Sequence, residues 1–548
     1  MKTLKTIGKV FLVLIILSQI MKIFVNRHMN LFSYTDIIPI AVIIGVFYWY
    51  KNRKKKSINN ETTTDIIETK HSVFFKLGER KLVLNNPFRG IFVIGSAGSG
   101  KTESIAIPLL EQFIEKNYTG IVYDFKYPTL ANEIETLIHA KKSPVKHYFV
   151  TFDVNYKSHK INPISPNYIP NTSYAGEYAQ TIMYNLMKES IKRPDYWSRS
   201  AADILTASIW FLRQEHPEYC DIPHLFALIT SNPESLIQLL MTNVETAPMV
   251  TSLASAMEKG AGNQVAGVVG TLQGSIARIN TPELMYVFSA DEVPLQVNDP
   301  NNPIILTIGN NPTLTNALSP LCSLIITVVT KLMNQPNKAN SFVLLDEAPT
   351  VYIPNLDVIP NTGRSNKIST VLMCQDLAQL GDSYGKEKGD VLFASCNNHF
   401  YGRVSTSHSS EILSKQFGKE NVTFSTSSEN TKPGILGETV NSKGKSQSIQ
   451  ERDIIKPAEF LDFPVGYFVG KTVDSNESTF RGKFDTVVRG EIKTVPTNND
   501  KINYLDYYKK VREDINRILS GEINVQKTIK EESKENDFVS FEDIEEFK

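Results

Sequence analysis

Cysteine is scarce in this sequence, and there is no excess of charge of either sign. Only four cysteines occur in 548 residues. None has the paired spacing of a zinc site or a disulfide framework, which favours reduced thiols in a cytosolic compartment. The 58 basic and 58 acidic side chains give a formal net charge of zero. Any binding to nucleic acid must therefore depend on local basic surfaces, because the whole molecule supplies no field of one sign.

Two long apolar segments lie within the first 56 residues. The first runs from Val10 to Ile20 and continues to Val25, and the second runs from Ile37 to Tyr50. Fourteen helical residues rise only about 21 Å, short of the roughly 30 Å hydrocarbon core, so the second helix must begin nearer Leu31. Lysine and arginine cluster before the first segment and after the second. The positive-inside rule therefore predicts a transmembrane hairpin over residues 1–56, with both termini in the cytoplasm.

A cleaved signal peptide is the alternative interpretation of the first segment. No small-x-small cleavage site follows Leu17, and a second apolar segment comes soon after, so the anchor is favoured. Lys22 can extend toward the headgroups, and Tyr48, Trp49 and Tyr50 suit an interfacial belt. We therefore expect membrane lipids among the partners of this segment.

The pattern of the remaining chain predicts an α/β fold with a helical insertion. Short β-branched runs separated by helical stretches are typical of a doubly wound sheet. Between about Tyr174 and Pro294 helical patterns dominate, which predicts an all-helical domain inserted into the sheet. The predicted strands are two around a turn at Gly78, within residues 73–84, then 90–95, 119–123, 147–152, 303–307, 341–345 and 369–373, completed by 398–402 and 467–469. The predicted domains are 57–173 and 296–490 for two parts of a nucleotide-binding domain, 174–295 for the helical domain, and 491–548 for an acidic C-terminal tail.

Two segments allow more than one interpretation. Lys101 to Lys116 predicts a helix, which Pro108 is expected to kink or to end early. The end of the tail, Glu531 to Lys548, is rich in aspartate and glutamate with interspersed phenylalanines. It is either a disordered, solvated segment or a short helix or strand that docks onto a partner.

A glycine-rich loop follows the strand predicted at residues 90–95. It satisfies the pattern G-x-x-x-x-G-K-[ST] between a predicted strand and a predicted helix, as a phosphate-binding loop requires. Glycines allow the backbone to wrap around phosphate with its N–H groups pointing inward. Lys101 would place its charge on the β- and γ-phosphates of ATP, and Thr102 would offer a hydroxyl to Mg²⁺. The predicted nucleotide-binding residues are Gly95, Ser96, Ala97, Gly98, Ser99, Gly100, Lys101 and Thr102.

Two carboxylates follow a second buried strand. Phe342 to Leu345 is wholly apolar, and Asp346 and Glu347 come directly after it, at the end of the strand where open α/β sheets bind ligands. Asp346 would hold Mg²⁺ together with Thr102, mostly through water. Glu347 would orient and deprotonate the attacking water. The sequence therefore predicts an ATPase with ATP and Mg²⁺ at this site.

Three further residues are candidates for roles at the same site. Gln375 follows the strand at 369–373 and could sense the γ-phosphate or the attacking water; an ordinary strand-end glutamine is the alternative. Arg364 lies in a polar stretch that we interpret as a loop, from which it could reach into a neighbouring subunit's site. Such an arginine can contribute roughly 10³–10⁵ in rate. Lys367 competes for this role, and a plain surface arginine is the alternative.

A basic cluster with aromatic residues lies near the start of the helical insertion. It is typical of a surface on which single-stranded DNA stacks, but long side chains on an ordinary helix surface explain it equally well. The cluster consists of Lys188, Lys192, Arg193 and Arg199 around Tyr196 and Trp197.

Further short motifs accompany the phosphate-binding loop and the carboxylate pair. They are Ser104 and Pro108, Asp124-Phe-Lys126, Asn162-Pro163, Leu345 to Pro349, Gly363-Arg364, Gln375 to Leu380 and Tyr384-Gly385. In this order they resemble the type IV coupling proteins, the TraG/TraD-like P-loop ATPases of conjugative DNA transfer and type IV secretion. The resemblance covers about residues 1 to 480. It departs at Asp124-Phe-Lys126, where the family usually has proline between the charged residues.

The resemblance implies a function for the whole molecule. It implies a RecA-like motor domain, assembled as a homo-hexameric ring at the inner face of the membrane, with Arg364 acting in trans. ATP hydrolysis would drive single-stranded DNA, with its covalently bound relaxase, toward a type IV secretion channel. Relaxosome accessory proteins and channel components are the further partners that it implies. The helical insertion would receive the DNA–protein substrate.

Three other classes of protein compete with this interpretation. A FtsK-like or HerA-like DNA translocase shares the motor chemistry, but the short hairpin and the position of the insertion favour coupling. An ABC-type ATPase is disfavoured because no Leu-Ser-Gly-Gly signature occurs, and the nearest run, Leu519 to Glu522, falls after the Asp346 strand. A membrane receptor that uses ATP only to assemble would need the phosphate-binding loop but not Glu347.

Overall fold

The computed structural model describes residues 68–433 and 439–523 of the chain. The predicted transmembrane hairpin and the acidic end of the tail lie outside these residues. Among the residues that are described, one helix, Thr315–Met333, is long and apolar enough to cross a membrane. The share of its apolar window buried inside the protein is 83%, so this helix belongs to a protein core.

A nine-stranded sheet forms the centre of the described structure. Its strand order is β13-β12-β9-β3-β8-β7-β4-β6-β5. From β9 to β5 neighbouring strands are parallel, whereas β12 and β13 are antiparallel and make the sheet mixed. The strands are β1 (Val73–Leu77), β2 (Arg80–Leu84), β3 (Ile91–Ile94), β4 (Thr119–Asp124), β5 (Lys146–Val150), β6 (Ile304–Gly309), β7 (Ser341–Leu345), β8 (Ile368–Cys374), β9 (Asn398–Tyr401), β10 (Lys419–Pro433), β11 (Thr439–Asp453), β12 (Tyr467–Lys471) and β13 (Thr479–Lys483).

The central strands are apolar on both faces because helices cover both sides of the sheet. On β3, Phe92 and Ile94 pack into one core, while Ile91 and Val93 pack into another on the opposite face. All strands predicted from the sequence are present, with ends that differ by at most two residues. This agreement follows from the continuous β-branched and apolar runs, which are typical of buried parallel strands.

The helices fall into two groups. Those that cover the sheet include α1 and α2 on one face and α11 on the other, whereas α3 to α10 form a separate group that we call the helical region. The helices are α1 (Ile107–Glu115), α2 (Thr129–Lys141), α3 (Thr172–Leu186), α4 (Glu189–Lys192), α5 (Tyr196–Glu215), α6 (Ile222–Ile229), α7 (Pro233–Met241), α8 (Ala247–Glu258), α9 (Gly262–Ile276), α10 (Pro282–Val287), α11 (Thr315–Met333), α12 (Val358–Asn366), α13 (Leu377–Tyr384), α14 (Lys386–Ser395), α15 (Ser407–Phe417), α16 (Pro457–Asp462) and α17 (Tyr504–Leu519).

The helical region shares one continuous apolar core with a face of the sheet. Helix α3 packs against both α5 and the core helix α11. Polar residues cap several of its helices: the side chain of Asn171 accepts hydrogen bonds at the start of α3, and Asp195 forms a capping box with Ser198 at the start of α5. Such caps satisfy backbone N–H groups that have no partner within the helix.

The helix predicted from Lys101 to Lys116 is present. Of the two effects predicted for Pro108, the early end is wrong, because the helix continues to Glu115. Residues Thr102–Ala106 form a π-helical turn ahead of the proline, and α1 begins at Ile107. The Ile107 N–H donates to the Thr102 carbonyl oxygen, five residues earlier, so the change from π- to α-helical bonding falls directly before Pro108, which has no N–H to donate.

Several elements of the C-terminal half were not predicted, among them a long hairpin and a helix near the end of the described residues. Strands β10 and β11 form a fifteen-pair antiparallel hairpin that pairs with no other described strand. Helix α17 lies inside the segment assigned to the acidic tail and packs against α6 and α10. Its buried side chains are Val511, Ile515 and Ile518, which recur at helical spacing within an otherwise charged sequence.

Candidate nucleotide-binding site

The phosphate-binding loop connects β3 to the π-helical turn at the carboxyl edge of the parallel sheet. Gly98 and Gly100 have positive φ angles of 73° and 94°, which glycine adopts without steric cost. A Cβ on Gly100 would lie 2.8 Å from the backbone nitrogen of Gly466, and one on Gly95 would lie 2.5 Å from the Ser99 Oγ. Any larger residue at these positions would therefore disturb the loop.

Hydrogen-bond donors of this loop are left free to bind an anion. Within the described ranges, the backbone N–H groups of Gly98, Gly100, Lys101 and Thr102 have no hydrogen-bond acceptor. The buried Ser99 Oγ likewise lacks a partner among the described residues. Because these donors stand at the positive end of a helix, the loop fits the phosphates of a nucleotide.

The predicted carboxylates reach the same cleft from a neighbouring part of the sheet. Strand β8 lies between β3 and β7, so the residues that follow all three strands meet at one edge. Thr102, Asp346, Glu347 and Gln375 all line the cleft beside the phosphate-binding loop. The structure therefore brings together the loop, both carboxylates and the glutamine that the sequence singled out.

The charges in this cleft are partly desolvated. Burial lowers the pKa of Lys101, although Glu347 and Asp346 favour its charged form. Burial also raises the pKa of Asp346 and of Glu347, an effect that Lys101 opposes in both cases. The side chain of Lys101 donates a hydrogen bond to the Gly95 carbonyl oxygen. Lys101 therefore carries its charge into the cleft that Asp346 and Glu347 also line.

Gln375 holds Glu347 through two hydrogen bonds. Its backbone N–H donates to one carboxylate oxygen at 3.2 Å, and its side-chain amide donates to the other at 3.0 Å. Glu347 is only 5% exposed, so these bonds fix the direction of its carboxylate. Gln375 is therefore a partner of Glu347 in this structure, and its sensing of the γ-phosphate or the attacking water stays a prediction.

Asp124 and Lys126 take different positions at the end of β4. The Asp124 carboxylate is fully buried and accepts hydrogen bonds from the backbone N–H groups of Leu130 and Ala131, at 2.8 and 3.1 Å. Burial raises the pKa of Asp124 to about 7. Asp124 therefore anchors the start of α2, while Lys126 lines the nucleotide cleft.

Arg364 and Lys367 lie at the opposite edge of the sheet. Arg364 is an exposed residue of α12, so its assignment to a loop was wrong; the helix forms because Ile359, Pro360 and Gly363 pack its inner face. Both residues precede β8, whose seven residues separate them from Gln375 by roughly 20 Å. Neither cation reaches the nucleotide cleft of its own chain.

One cation at the cleft was missed by the sequence analysis. Arg403 follows β9, the strand on the other side of β3. Its carbonyl oxygen accepts a hydrogen bond from the Ser96 N–H at 2.6 Å, and its guanidinium nitrogen lies 3.9 Å from the Cβ position of Gly98. No motif surrounds this arginine. Only the order of the strands, which joins residues some 300 positions apart, could have revealed it.

The basic cluster of the helical region is partly neutralised. Tyr196 and Trp197 are 42% and 41% exposed, and their ring centroids are 5.7 Å apart. Lys192 forms an ion pair with Asp382 at 3.1 Å, and Lys188 donates to an asparagine oxygen at 3.4 Å. The two aromatic rings remain available for stacking, whereas the positive charge around them is reduced.

Fold and site together define a P-loop nucleotide-binding protein of the α/β class. The model of the family "Type IV secretory system Conjugative DNA transfer" matches residues 50–465. The chain belongs to this family and is thus a protein of conjugative DNA transfer, as its resemblance to the coupling proteins predicted. Comparison with curated protein sequences gives no match.

Several solved structures share the fold. The bacterial conjugative coupling protein TrwBdeltaN70, in its unbound monoclinic form, has a TM-score of 0.60 and 16% identity, covering 76% of this chain and 89% of that chain. The plasmid coupling protein TrwB in complex with ADP and Mg²⁺ has a TM-score of 0.56 and 17% identity, covering 74% and 86%. TrwB in complex with a non-hydrolysable ATP analogue has a TM-score of 0.56 and 16% identity, covering 76% of this chain and 89% of that chain. At these identities the likeness establishes the α/β fold.

Proposed function

We propose that this protein is a membrane-anchored ATPase that couples a DNA–relaxase complex to a type IV secretion channel and drives single-stranded DNA through it. The observation that carries the proposal is the convergence of the phosphate-binding loop, Asp346, Glu347 and Gln375 on one cleft. Family membership indicates the biological process, conjugative DNA transfer. In this proposal, ATP hydrolysis in the cleft would provide the energy for that process.

In this proposal the cleft binds ATP and Mg²⁺. The free N–H groups of Gly98, Gly100, Lys101 and Thr102 and the Lys101 ammonium would hold the phosphates, and Thr102 and Asp346 would hold the metal ion. Bound Mg²⁺ would neutralise charge that develops on the phosphate oxygens. Support comes from the donors without acceptors described above, and from TrwB, whose solved complexes contain ADP with Mg²⁺ and analogues of ATP and GTP.

Glu347 would act as the general base. Its carboxylate is held by Gln375; burial raises its pKa, an effect that the charge of Lys101 opposes. An ionised, partly desolvated carboxylate accepts a proton from water more readily than a solvated one. Glu347 would take the proton of the attacking water, and Gln375 would keep the accepting oxygen in line.

Arg364 would complete the site of a neighbouring subunit. Because the arginine stands roughly 20 Å from the carboxyl edge of its own sheet, only another copy of the chain could use it for catalysis. This arrangement requires an oligomer, and the family resemblance suggests a RecA-like homo-hexameric ring. Lys367 shares the position of Arg364 and is the alternative donor.

The remaining segments would connect the motor to its partners. Residues 1–56 would anchor it in the inner membrane as a hairpin, with residues 57–173 and 296–490 forming the motor, 174–295 the helical domain and 491–548 a tail. The helical domain, whose Tyr196 and Trp197 are exposed, would receive single-stranded DNA with its relaxase and the relaxosome accessory proteins. The anchor would meet membrane lipids and the components of the secretion channel.

The proposal is tested by ATP hydrolysis of the full-length protein in detergent micelles. We expect single-stranded DNA to raise the turnover number, and Lys101→Ala to abolish hydrolysis with and without DNA. Lys386→Ala, at an exposed lysine of α14, is the matched control and should behave as the wild type. Equal turnover with and without DNA would contradict a DNA motor, and hydrolysis that survives in Lys101→Ala would contradict the assigned cleft.

A further inference from the structure

The segment after Glu347 is held in place by side chains from several elements. We call this segment, residues 348–353, the carboxylate loop. The Thr350 hydroxyl donates to the Glu347 carbonyl oxygen at 2.7 Å. The same Thr350 hydroxyl lies 2.8 Å from the Tyr123 hydroxyl of β4. On the other side, Ser319 of α11 donates to the Thr350 carbonyl oxygen at 2.6 Å. The position of Glu347 therefore depends on the position of this loop.

The helical region contacts the carboxylate loop through two neighbouring residues of α3. The ring of Tyr184 lies edge-on to that of Tyr352, with centroids 5.5 Å apart, and hydrogen bonds to the loop are made by the buried Asn185. Its side-chain oxygen accepts a hydrogen bond from the Tyr352 N–H at 2.9 Å, and its side-chain nitrogen donates to the Tyr352 carbonyl oxygen at 2.7 Å. The same oxygen accepts from Ser323 at 2.9 Å, and the same nitrogen donates to the Thr181 carbonyl oxygen at 2.8 Å. All four hydrogen bonds that an asparagine amide can make are therefore formed.

The end of α13 binds the same loop from the side of Gln375. Ser383 donates to the Pro349 carbonyl oxygen at 2.6 Å, and the Tyr384 hydroxyl donates to the Val351 carbonyl oxygen at 2.8 Å. Helix α13 begins two residues after Gln375, whose amide holds Glu347. The loop is thus a rigid connection between Glu347 and helix α3, with polar contacts that are buried and therefore strong.

We propose that Asn185 is a positioning residue through which the helical region controls the Glu347 carboxylate. A displacement of α3 would move Tyr352, then the hydrogen-bonded Thr350, and finally the carboxylate. Engagement of a substrate by the helical region would in this way change the rate of hydrolysis rather than the affinity for nucleotide. The identity of the substrate in this inference rests on the proposed function. The effect of Asn185 on Glu347 does not depend on which substrate the helical region binds.

The substitution Asn185→Asp tests the connection at nearly constant volume. Aspartate retains the acceptor for the Tyr352 N–H but cannot donate to the Tyr352 and Thr181 carbonyl oxygens. Two buried carbonyl oxygens would then face a carboxylate, which displaces the loop or leaves them unsatisfied. Misplacement of a catalytic group from a distance can reduce turnover by about 10- to 100-fold. We expect such a fall in kcat, with the KM for ATP and the Kd for an ATP analogue within about twofold of the wild type.

Asn398→Asp is the matched control for general destabilisation. Asn398 is also fully buried and also bridges a backbone carbonyl oxygen and a backbone N–H, those of Gly90 and Val473, at 3.1 Å each. It lies at the start of β9, away from the nucleotide cleft. We expect Asn398→Asp to lower the melting temperature about as much as Asn185→Asp does, while its kcat stays within about threefold of the wild type.

The measurements are steady-state hydrolysis of the full-length protein with and without single-stranded DNA, binding of the ATP analogue, and thermal unfolding. A low kcat confined to Asn185→Asp, together with a reduced ratio of DNA-stimulated to basal rate, supports the inference. A wild-type kcat in Asn185→Asp, or an equal loss in Asn398→Asp, overturns it. If DNA stimulates none of the three proteins, the DNA-motor proposal fails, but the basal kcat values still decide the role of Asn185.

Discussion

The two edges of the parallel sheet are built from different chemistry. At the carboxyl edge, Lys101, Asp346 and Glu347 are enclosed in a cleft, and their pKa values are shifted by burial. At the amino edge, Arg364 and Lys367 are exposed, and Lys367 lies over the ring of Phe88. At the carboxyl edge the charged groups are largely withdrawn from water, and hydrogen bonds hold Glu347 and Lys101. At the amino edge the charged groups lie in water.

This difference indicates how a catalytic site can be divided between copies of one chain. A buried cluster is costly to form and is therefore preorganised by bonds such as those between Gln375 and Glu347. An exposed arginine costs little in the isolated chain and gains strength only when a second surface removes water from it. Under the proposed function, binding and proton transfer would belong to one edge, and charge stabilisation in trans to the other.

The largest expected effect comes from the amino edge. Arg364→Ala should reduce ATP turnover by about 10³-fold or more if the arginine stabilises the transition state of a neighbour. Mixing Arg364→Ala protein with Lys101→Ala protein should restore part of the activity, because the intact loop of one subunit then meets the intact arginine of the other. Turnover of each protein and of the mixture is measured by phosphate release.

Lys367→Ala distinguishes the two cations at this edge. We expect the ATP turnover of this variant to stay within a few-fold of that of the wild type. A mixture of Arg364→Ala and Lys101→Ala proteins that remains as inactive as its components would show that the arginine does not act between subunits. A large loss of ATP turnover in Lys367→Ala alone would show that the lysine, not the arginine, acts on the neighbouring site.

At the carboxyl edge, Glu347→Gln should reduce turnover by about 10² to 10⁴-fold. Glutamine can still accept a hydrogen bond from Gln375 but cannot take a proton, so the Kd for an ATP analogue should change little. Single-turnover hydrolysis and analogue binding separate the two effects. Unchanged hydrolysis would show that Glu347 is not the general base, whereas unchanged DNA transfer in cells despite lost hydrolysis would favour a receptor that uses ATP only to assemble.

A smaller effect is expected in the pH dependence of stability, through Asp124. Its pKa of about 7 in the folded protein lies above the usual value of aspartate, so the folded state keeps a proton that the unfolded state has released. Stability should therefore fall as pH rises from about 4 to 7, by roughly 1 kcal/mol per pH unit from this group. Asp124→Asn keeps an acceptor for Leu130 and Ala131 but cannot ionise, which removes this loss.

Melting temperatures between pH 5 and pH 8 test the point. The variant should gain stability relative to the wild type as pH rises. Asp195→Asn is the control: hydrogen bonds from Ser198 lower the pKa of this exposed capping residue, so its substitution should produce no such gain. Parallel curves for wild type and Asp124→Asn would contradict the assignment.

Much of the nucleotide site could be predicted because its signals are local in sequence. The loop from Gly95 to Thr102 carries its own conformational requirements, and Asp346 and Glu347 follow a buried strand directly. Parallel strands bring such residues to one edge whatever their order along the chain. The strands themselves were recognisable from continuous apolar runs.

Contacts between distant residues left no such signal. Arg403 meets the phosphate-binding loop, about 300 positions away, through its carbonyl oxygen and its guanidinium group. The side chain of Asn185 meets Tyr352, 167 positions away, and nothing around either residue marks it. The hairpin of β10 and β11 was missed because serine, threonine and asparagine recur on both of its faces, without the alternation that reveals a half-buried strand. Helix α12 was missed because its short sequence contains proline, glycine and two asparagines, which favour loops.

The hairpin of β10 and β11 also has a mechanical consequence. Each strand contains fifteen residues, and fifteen extended residues reach about 50 Å. Because its base follows α15, and β11 leads by way of α16 into β12 at the edge of the central sheet, the hairpin can work as a lever. A rotation of roughly 10° at its base would carry the far end through about 9 Å, so that a movement too small to alter the sheet would become a displacement comparable to the width of a helix.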